Sequence, residues 1–134
     1  MTDEDDLRGM LRKVLAVIRE ALPQETIVAS DMTQIAYAAN EVFPVDAPRT
    51  WLHPVGFGTL GFALPAAIGA KFARRDTPVV AFAGDYGFQY TMNELGTAAE
   101  HKLPLVILLW NNGALGQIRD DMVRKGIQPN AVTL

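Results

Sequence analysis

Two uninterrupted apolar runs that each stop abruptly in turn residues constrain this chain most. Val79-Val80-Ala81-Phe82-Ala83 runs straight into Gly84-Asp85-Tyr86-Gly87, and Leu105 to Trp110 runs straight into Asn111-Asn112-Gly113. Continuous apolar strands without polar alternation are the kind buried on both faces of a parallel sheet. Between them Met92 to His101 has helical character, and a segment from about Leu115 to Lys125 follows as another helix. Upstream, Thr26 to Ala29 reads as a strand, and Ser30-Asp31 with Gln34 reads as a capping box opening a helix that runs to about Phe43. A proline-rich loop carrying Pro44, Pro48 and Pro54 leads to a small-residue helix within Gly56 to Ala73, whose regular part begins near Pro65. Leu7, Met10, Leu11, Val14, Leu15, Ile18 and Leu22 form one stripe on a first helix that ends before Pro23. Strands alternating with helices predict an α/β domain: a doubly wound, mainly parallel sheet with helices on both faces.

The 134 residues suit one compact domain, and 12 Lys+Arg against 15 Asp+Glu give a net charge of −3, too small to mark a nucleic-acid or membrane surface. No cysteine is present, which removes disulfides and thiolate metal sites; the acidic start from Asp3 to Asp6 is unlike a signal peptide, so the cytoplasm is the expected address. The longest apolar run, Leu103 to Trp110, contains Pro104 and falls far short of the roughly 20 residues that cross a bilayer. It is expected as a buried strand.

Ligands of doubly wound sheets bind beyond the carboxyl ends of the strands. Here one strand ends at Asp85 and the next at Asn111-Asn112, one crossover further on. If the two strands are neighbours their tips lie roughly 5 Å apart. A carboxylate and an amide oxygen at that distance suit Mg²⁺, which takes oxygen ligands and often several from a phosphate. Backbone N–H groups of the helices that follow would point at the same place. Each motif alone is also an ordinary turn sequence; their placement after two buried strands favours a site.

A second motif competes. Gly56-x-Gly58-x-x-Gly61, with Asp76 further on, matches the spacing of a dinucleotide fingerprint and would make the chain an NAD-dependent dehydrogenase domain. In that fold the glycines follow the first strand directly and the acid ends the second. Here a proline-rich loop comes first and Asp76 precedes its strand, so the reading is disfavoured.

The conjunction of Gly84-Asp85, the one-crossover spacer and Asn111-Asn112 resembles the thiamin-diphosphate-dependent enzymes of the acetolactate synthase and 2-oxo acid decarboxylase group. The likeness extends over Gly56 to Ala70, Asn93 to Ala98 and Asn112 to Gly116, with Tyr86 standing where the motif's last glycine falls. The resemblance implies that Asp85, the Asn112 side chain and the Ala114 carbonyl are Mg²⁺ ligands. It further implies a cofactor site of Gly58, Leu60, Gly84, Asp85, Tyr86, Gly87, Asn112, Ala114 and Leu115. In it Leu60 would bend the cofactor, the Gly58 carbonyl would take its amino group, and the backbone of Tyr86 and Gly87 would hold the diphosphate. The nucleophile then belongs to the cofactor, and the protein positions it.

The family's activating glutamate comes from the pyrimidine-binding domain of a partner subunit, which implies a homodimer or homotetramer and makes this chain part of a longer three-domain enzyme, inactive alone. A non-catalytic cofactor-binding module is the alternative. Exposed apolar surface on the first helix and on Gly56 to Ala70 is expected to drive self-association. His53 is a candidate proton donor or substrate ligand, although loop histidines are commonly just solvated. His101 reads as a helix-end residue, and Trp51 and Trp110 as core or interface aromatics. Gln34, Ile118 and Asp121 are candidates for substrate selectivity. Ile118 stands where pyruvate-decarboxylase-type relatives carry glutamate, and Asp120-Asp121 would suit a cationic 2-oxo acid such as 5-guanidino-2-oxopentanoate.

Overall fold

The computed structural model describes residues 3–133, with side chains described from residue 6 onward. Of the acidic start, Asp6 is exposed and the side chains of Asp3, Glu4 and Asp5 lie outside the described residues. Helix α1 (Asp3–Ala21) leads to β1 (Ile27–Ser30), α2 (Gln34–Val42), β2 (Trp51–Leu52) and α3 (Ala63–Ala73). Strand β3 (Val79–Gly84), α4 (Asp85–Thr91), α5 (Leu95–Glu100), β4 (Val106–Trp110) and α6 (Gly116–Arg124) follow, with a single 3₁₀ turn at Met92–Glu94 between α4 and α5.

All strand pairs are parallel and the sheet order is β2-β1-β3-β4. The chain winds outward from β1 in one direction and resumes at β3 in the other, so the switch point lies between β1 and β3. Alternate residues separate the two faces. Val28, Val80 and Phe82 pack with Leu11, Leu15, Ile35, Ala39 and Phe43 of α1 and α2. Ile27, Ala29, Val79, Ala81 and Ala83 pack against Ala63 and Ala67 of α3. The alanines on both sides of the second interface let α3 lie close to the sheet. Phe82 anchors the first face, edge-on to Phe43 at 5.9 Å and to Trp51 at 6.0 Å, a contribution of about 0.5–1.5 kcal/mol per aromatic pair beyond its burial.

Four sequence expectations change. The capping box does not form: Thr33 is the N-cap residue of α2, without a side-chain cap, and Asp31 and Gln34 turn inward instead. Helix begins at Asp85, directly after β3, rather than near Met92. The loop after α2 contains β2, too short to carry a period-2 signal, whose Trp51 and Leu52 pair with Val28 and Ala29. Finally β4 is half exposed, Val106 at 51% and Leu109 at 47%, because β3 pairs with one of its edges and no described strand pairs with the other. His101 does sit at the C-terminus of α5, against Phe72.

Candidate functional site

Three neighbouring strand tips converge. Ser30 at the end of β1 is in register with Phe82, and Gly84 at the end of β3 with Trp110 at the end of β4. Beyond these pairs stand Asp31, Asp85 and Asn112. Asp85, 8% exposed, is the first residue of α4, where the helix dipole favours a carboxylate. Its Oδ1 accepts the Tyr86 N–H at 2.9 Å, and its Oδ2 accepts the Gly113 N–H at 2.7 Å. Gly113 has φ +62°, the left-handed conformation that turns the chain back from β4 toward Asp85. Tyr86, at the position of the motif's last glycine, is unstrained: it falls in the first turn of α4 and has no positive φ.

Around these tips lies one cleft. Its lining includes Gly58, Leu60, Gly84, Asp85, Tyr86, Gly87, Asn112, Ala114 and Leu115, the whole expected cofactor set, together with Gln34 and Ile118. Close approach is built into it. A Cβ on Gly58 would stand 2.9 Å from Met32 Cε, and one on Gly87 would run into Asp31 Oδ2. A Cβ on Gly116 would lie 2.6 Å from Asn112 Nδ2.

Asp31 also lines the cleft, a contribution that the capping reading missed. The signal was present in sequence, since Asp31 follows an apolar strand as Asp85 does. Its Oδ1 accepts the Ala63 N–H at 2.9 Å while Oδ2 is buried without a partner, and burial pushes its pKa up. An unpartnered buried carboxylate oxygen is costly, so raising the pKa relieves it by favouring the neutral acid. Tyr37 lines the cleft too; burial, helped by the negative charge of Asp121, raises its pKa.

His53 is held elsewhere. Its Nδ1 is 2.7 Å from Ser30 Oγ and its Nε2 is 3.0 Å from Asn40 Nδ2. Because the Trp51 indole can only donate, and does so to Asn40 Oδ1 at 2.9 Å, the Asn40 Nδ2 must face His53. Nε2 therefore accepts, and Nδ1 carries the proton that goes to Ser30. Burial lowers the His53 pKa, with Asp31 opposing, which agrees with a neutral ring. Both ring nitrogens are occupied and His53 is absent from the cleft lining, so the expected proton-donor role finds no geometric support. Asp121 accepts from Gln117 at 3.4 Å and pairs with Arg124 at 3.0 Å. Asp120 instead lines a second groove, between α1, α2 and α6, that shares Gln34, Tyr37 and Gln117 with the first cleft.

The donors offered at the strand tips are a carboxylate, an amide oxygen and backbone carbonyls, with no histidine in the cleft lining. That all-oxygen set fits Mg²⁺ rather than a softer metal. Among the described residues no cluster of three His, Cys, Asp or Glu side chains is present. Asp76, the acid of the competing fingerprint, is exposed in the turn ahead of β3 rather than at a strand's carboxyl end.

A parallel sheet wound outward from a switch point, with a cleft across its strand tips, is the α/β architecture whose ligands bind beyond the carboxyl ends of the strands. Comparison with known proteins makes this specific: residues 31–133 match the thiamine pyrophosphate enzymes, C-terminal TPP binding domain, and the chain belongs to that family. It is 52% identical over 94% of its length to a protein named "Probable 2-ketoarginine decarboxylase AruI" from Pseudomonas aeruginosa. It is also 36% identical over 87% of its length to a "Probable acetolactate synthase large subunit" from Methanococcus aeolicus. It spans only 23% and 20% of those two relatives. Among solved structures it resembles the Rhodococcus jostii RHA1 thiamine diphosphate-dependent 4-hydroxybenzoylformate decarboxylase, with TM-score 0.82 and 28% identity over 92% of this chain and 23% of that one.

Proposed function

We propose that this domain holds the diphosphate of thiamin diphosphate through Mg²⁺ and serves an enzyme that decarboxylates a 2-oxo acid, with or without joining the product to an acceptor. The observation that carries the reading is the single cleft in which Asp85 and Asn112 meet at adjacent strand tips. Asp85, the Asn112 oxygen and the Ala114 carbonyl would hold the cation. Backbone groups of Tyr86 and Gly87 would hold the diphosphate, Gly84 and Leu115 would wall it, and Leu60 with the Gly58 carbonyl would shape and anchor the rest. When bound, the cofactor supplies the carbon nucleophile and electron sink that decarboxylation of a 2-oxo acid requires.

The cleft lining holds the carboxylates of Asp31 and Asp85, and the reading places the activating glutamate on a partner subunit. Phe57, 99% exposed, and Val55, 82% exposed, precede Gly58 and offer apolar surface to the pyrimidine-binding domain of a partner subunit in a homodimer or homotetramer. We assign the protein to the cytoplasm, supported by the absence of cysteine. No described helix is long and apolar enough to cross a membrane.

For the substrate we propose a 2-oxo acid with a cationic tail, such as 5-guanidino-2-oxopentanoate. The similarity to a protein named for 2-ketoarginine supports this. So does Asp120, which lines the groove that shares Gln34, Tyr37 and Gln117 with the cleft and pairs there with Arg119 at 3.1 Å; Asp121 pairs with Arg124 and lines neither. Ile118 in the cleft lining adds no charge near the substrate.

The test is calorimetric titration of the complete polypeptide carrying this sequence with thiamin diphosphate, with and without Mg²⁺, beside Asp85→Ala. Mg²⁺-dependent binding that the variant loses is expected. Equal binding with and without the metal would overturn the reading.

A further inference from the structure

The Mg²⁺ reading needs the Asn112 side chain to present its oxygen rather than its nitrogen, and an amide is nearly symmetric in shape. Resting on that reading, we propose that Gln34 is the positioning residue that sets which way the Asn112 amide faces.

The argument follows groups that can only donate or only accept. The Trp110 indole, a donor only, points at Gln34 Oε1 at 3.4 Å. The Asp120 carboxylate, an acceptor when ionised, takes Gln34 Nε2 at 3.4 Å. Between them these two leave the Gln34 amide one orientation. Gln34 Oε1 then accepts Asn112 Nδ2 at 2.8 Å, the shortest contact of the set. At the other end the backbone N–H of Ala114, again a donor only, reaches Asn112 Oδ1 at 3.2 Å. The oxygen of Asn112 is thereby held on the side of Ala114, where the other proposed ligand lies, and its nitrogen is held against Gln34.

The packing is built for this pair. Gly116 is buried, and a Cβ there would stand 2.6 Å from Asn112 Nδ2 and 2.9 Å from Gln34 Nε2. A side chain there would have to displace both amides from this arrangement. Partners behind a metal ligand that fix its orientation are worth roughly 10- to 100-fold in metal affinity.

The experiment uses the complete polypeptide and reads binding. Gln34→Met keeps the length of the side chain and removes both hydrogen-bonding groups. At limiting Mg²⁺ its apparent affinity for thiamin diphosphate should fall about 10- to 100-fold, and the Mg²⁺ half-saturation point should rise in step. Saturating Mg²⁺ should restore the affinity of the wild type, because the lesion lies in the cation's ligand. A Mg²⁺ dependence equal to wild type overturns the inference. So does a loss that saturating Mg²⁺ leaves in place, which would mean that Gln34 touches the diphosphate itself. Where circular dichroism shows Gln34→Met misfolded, Trp110→Phe removes the fixed donor and should shift the Mg²⁺ half-saturation point in the same direction; no shift there overturns the inference. Wild-type binding that ignores Mg²⁺ would instead overturn the Mg²⁺ reading and this inference with it, a result distinct from a variant that matches a Mg²⁺-dependent wild type.

Discussion

Asp85 Oδ2 accepts the backbone N–H of Gly113 at 2.7 Å, so the first residue of α4, directly after β3, is bonded to the turn that follows β4. The carboxylate is thus held in place from two strands before any ligand arrives. Such preorganisation lowers the cost of binding, since the side chain has no freedom left to lose. It also ties the loop after β4, with Asn112 and Ala114, to the cleft.

Replacing Asp85 by Asn keeps the side chain's shape and one of its two acceptors, for either the Gly113 or the Tyr86 N–H, and removes the charge. Stability should fall by about 1.5–3 kcal/mol, the range for one hydrogen bond to a charged group. Mg²⁺-dependent binding of thiamin diphosphate should weaken by about 2–5 kcal/mol, as when one partner of a buried charge pair is truncated. Thermal melts beside calorimetry separate the two quantities.

Gly87→Ala should cost about 1–3 kcal/mol of stability, because its Cβ would run into Asp31 Oδ2 in a packed interior. On an Asp31→Ser background, where that oxygen is gone, the same change should cost less. Urea unfolding of the two single variants and the double variant measures the coupling.

The pH dependence has a definite sign for two groups. Burial raises the Asp31 pKa above its usual value, so its contribution to stability is fully present below about 3.9 and is lost as pH rises through the shifted value. Asp31→Asn should remove that acidic-side component from unfolding curves taken across a pH series. Burial lowers the His53 pKa, so its contribution is present above about 6.5 and is lost as pH falls through the shifted value. NMR titration of the imidazole should show a neutral ring at pH 7 with the proton on Nδ1; a ring charged at pH 7 would contradict the geometry.

Selectivity for cationic over neutral 2-oxo acids should fall about tenfold in Asp120→Asn, near the lower limit for a hydrogen bond to a charged group, since Asp120 is 40% exposed and shared with Arg119. Asp121→Asn should leave selectivity unchanged. Competition assays on the complete enzyme decide between the two residues, and equal effects would remove Asp120's assignment.

Much of the site could be read from residues alone because strand tips announce themselves. A buried apolar run that stops at a charged or amide residue is legible wherever it occurs, and Asp85 and Asn112 both stand at such stops. Asp31 follows the same rule, but Ser30-Asp31 and Gln34 also satisfy a local capping pattern that masks it. Its true partner, the Ala63 N–H, is 32 positions away. Strand β2 escaped because two residues carry no periodicity. The start of α4 was misplaced because Gly84 to Gly87 carries strong turn chemistry, and the pull of the packed sheet overrides it.

By itself the sequence determined the order of the three longer strands and of the helices flanking them, their parallel arrangement, the absence of thiolate chemistry and the resemblance that names the family. These depend on local periodicity, composition and residue type, which need no third dimension. Tertiary structure alone decided that β1 lies between β2 and β3, that His53 is locked to Ser30 and Asn40, and that Gln34 faces Asn112 rather than capping its own helix. Each of these rests on contacts between residues distant in the chain, where the direction of a hydrogen bond depends on which neighbour can only donate and which can only accept.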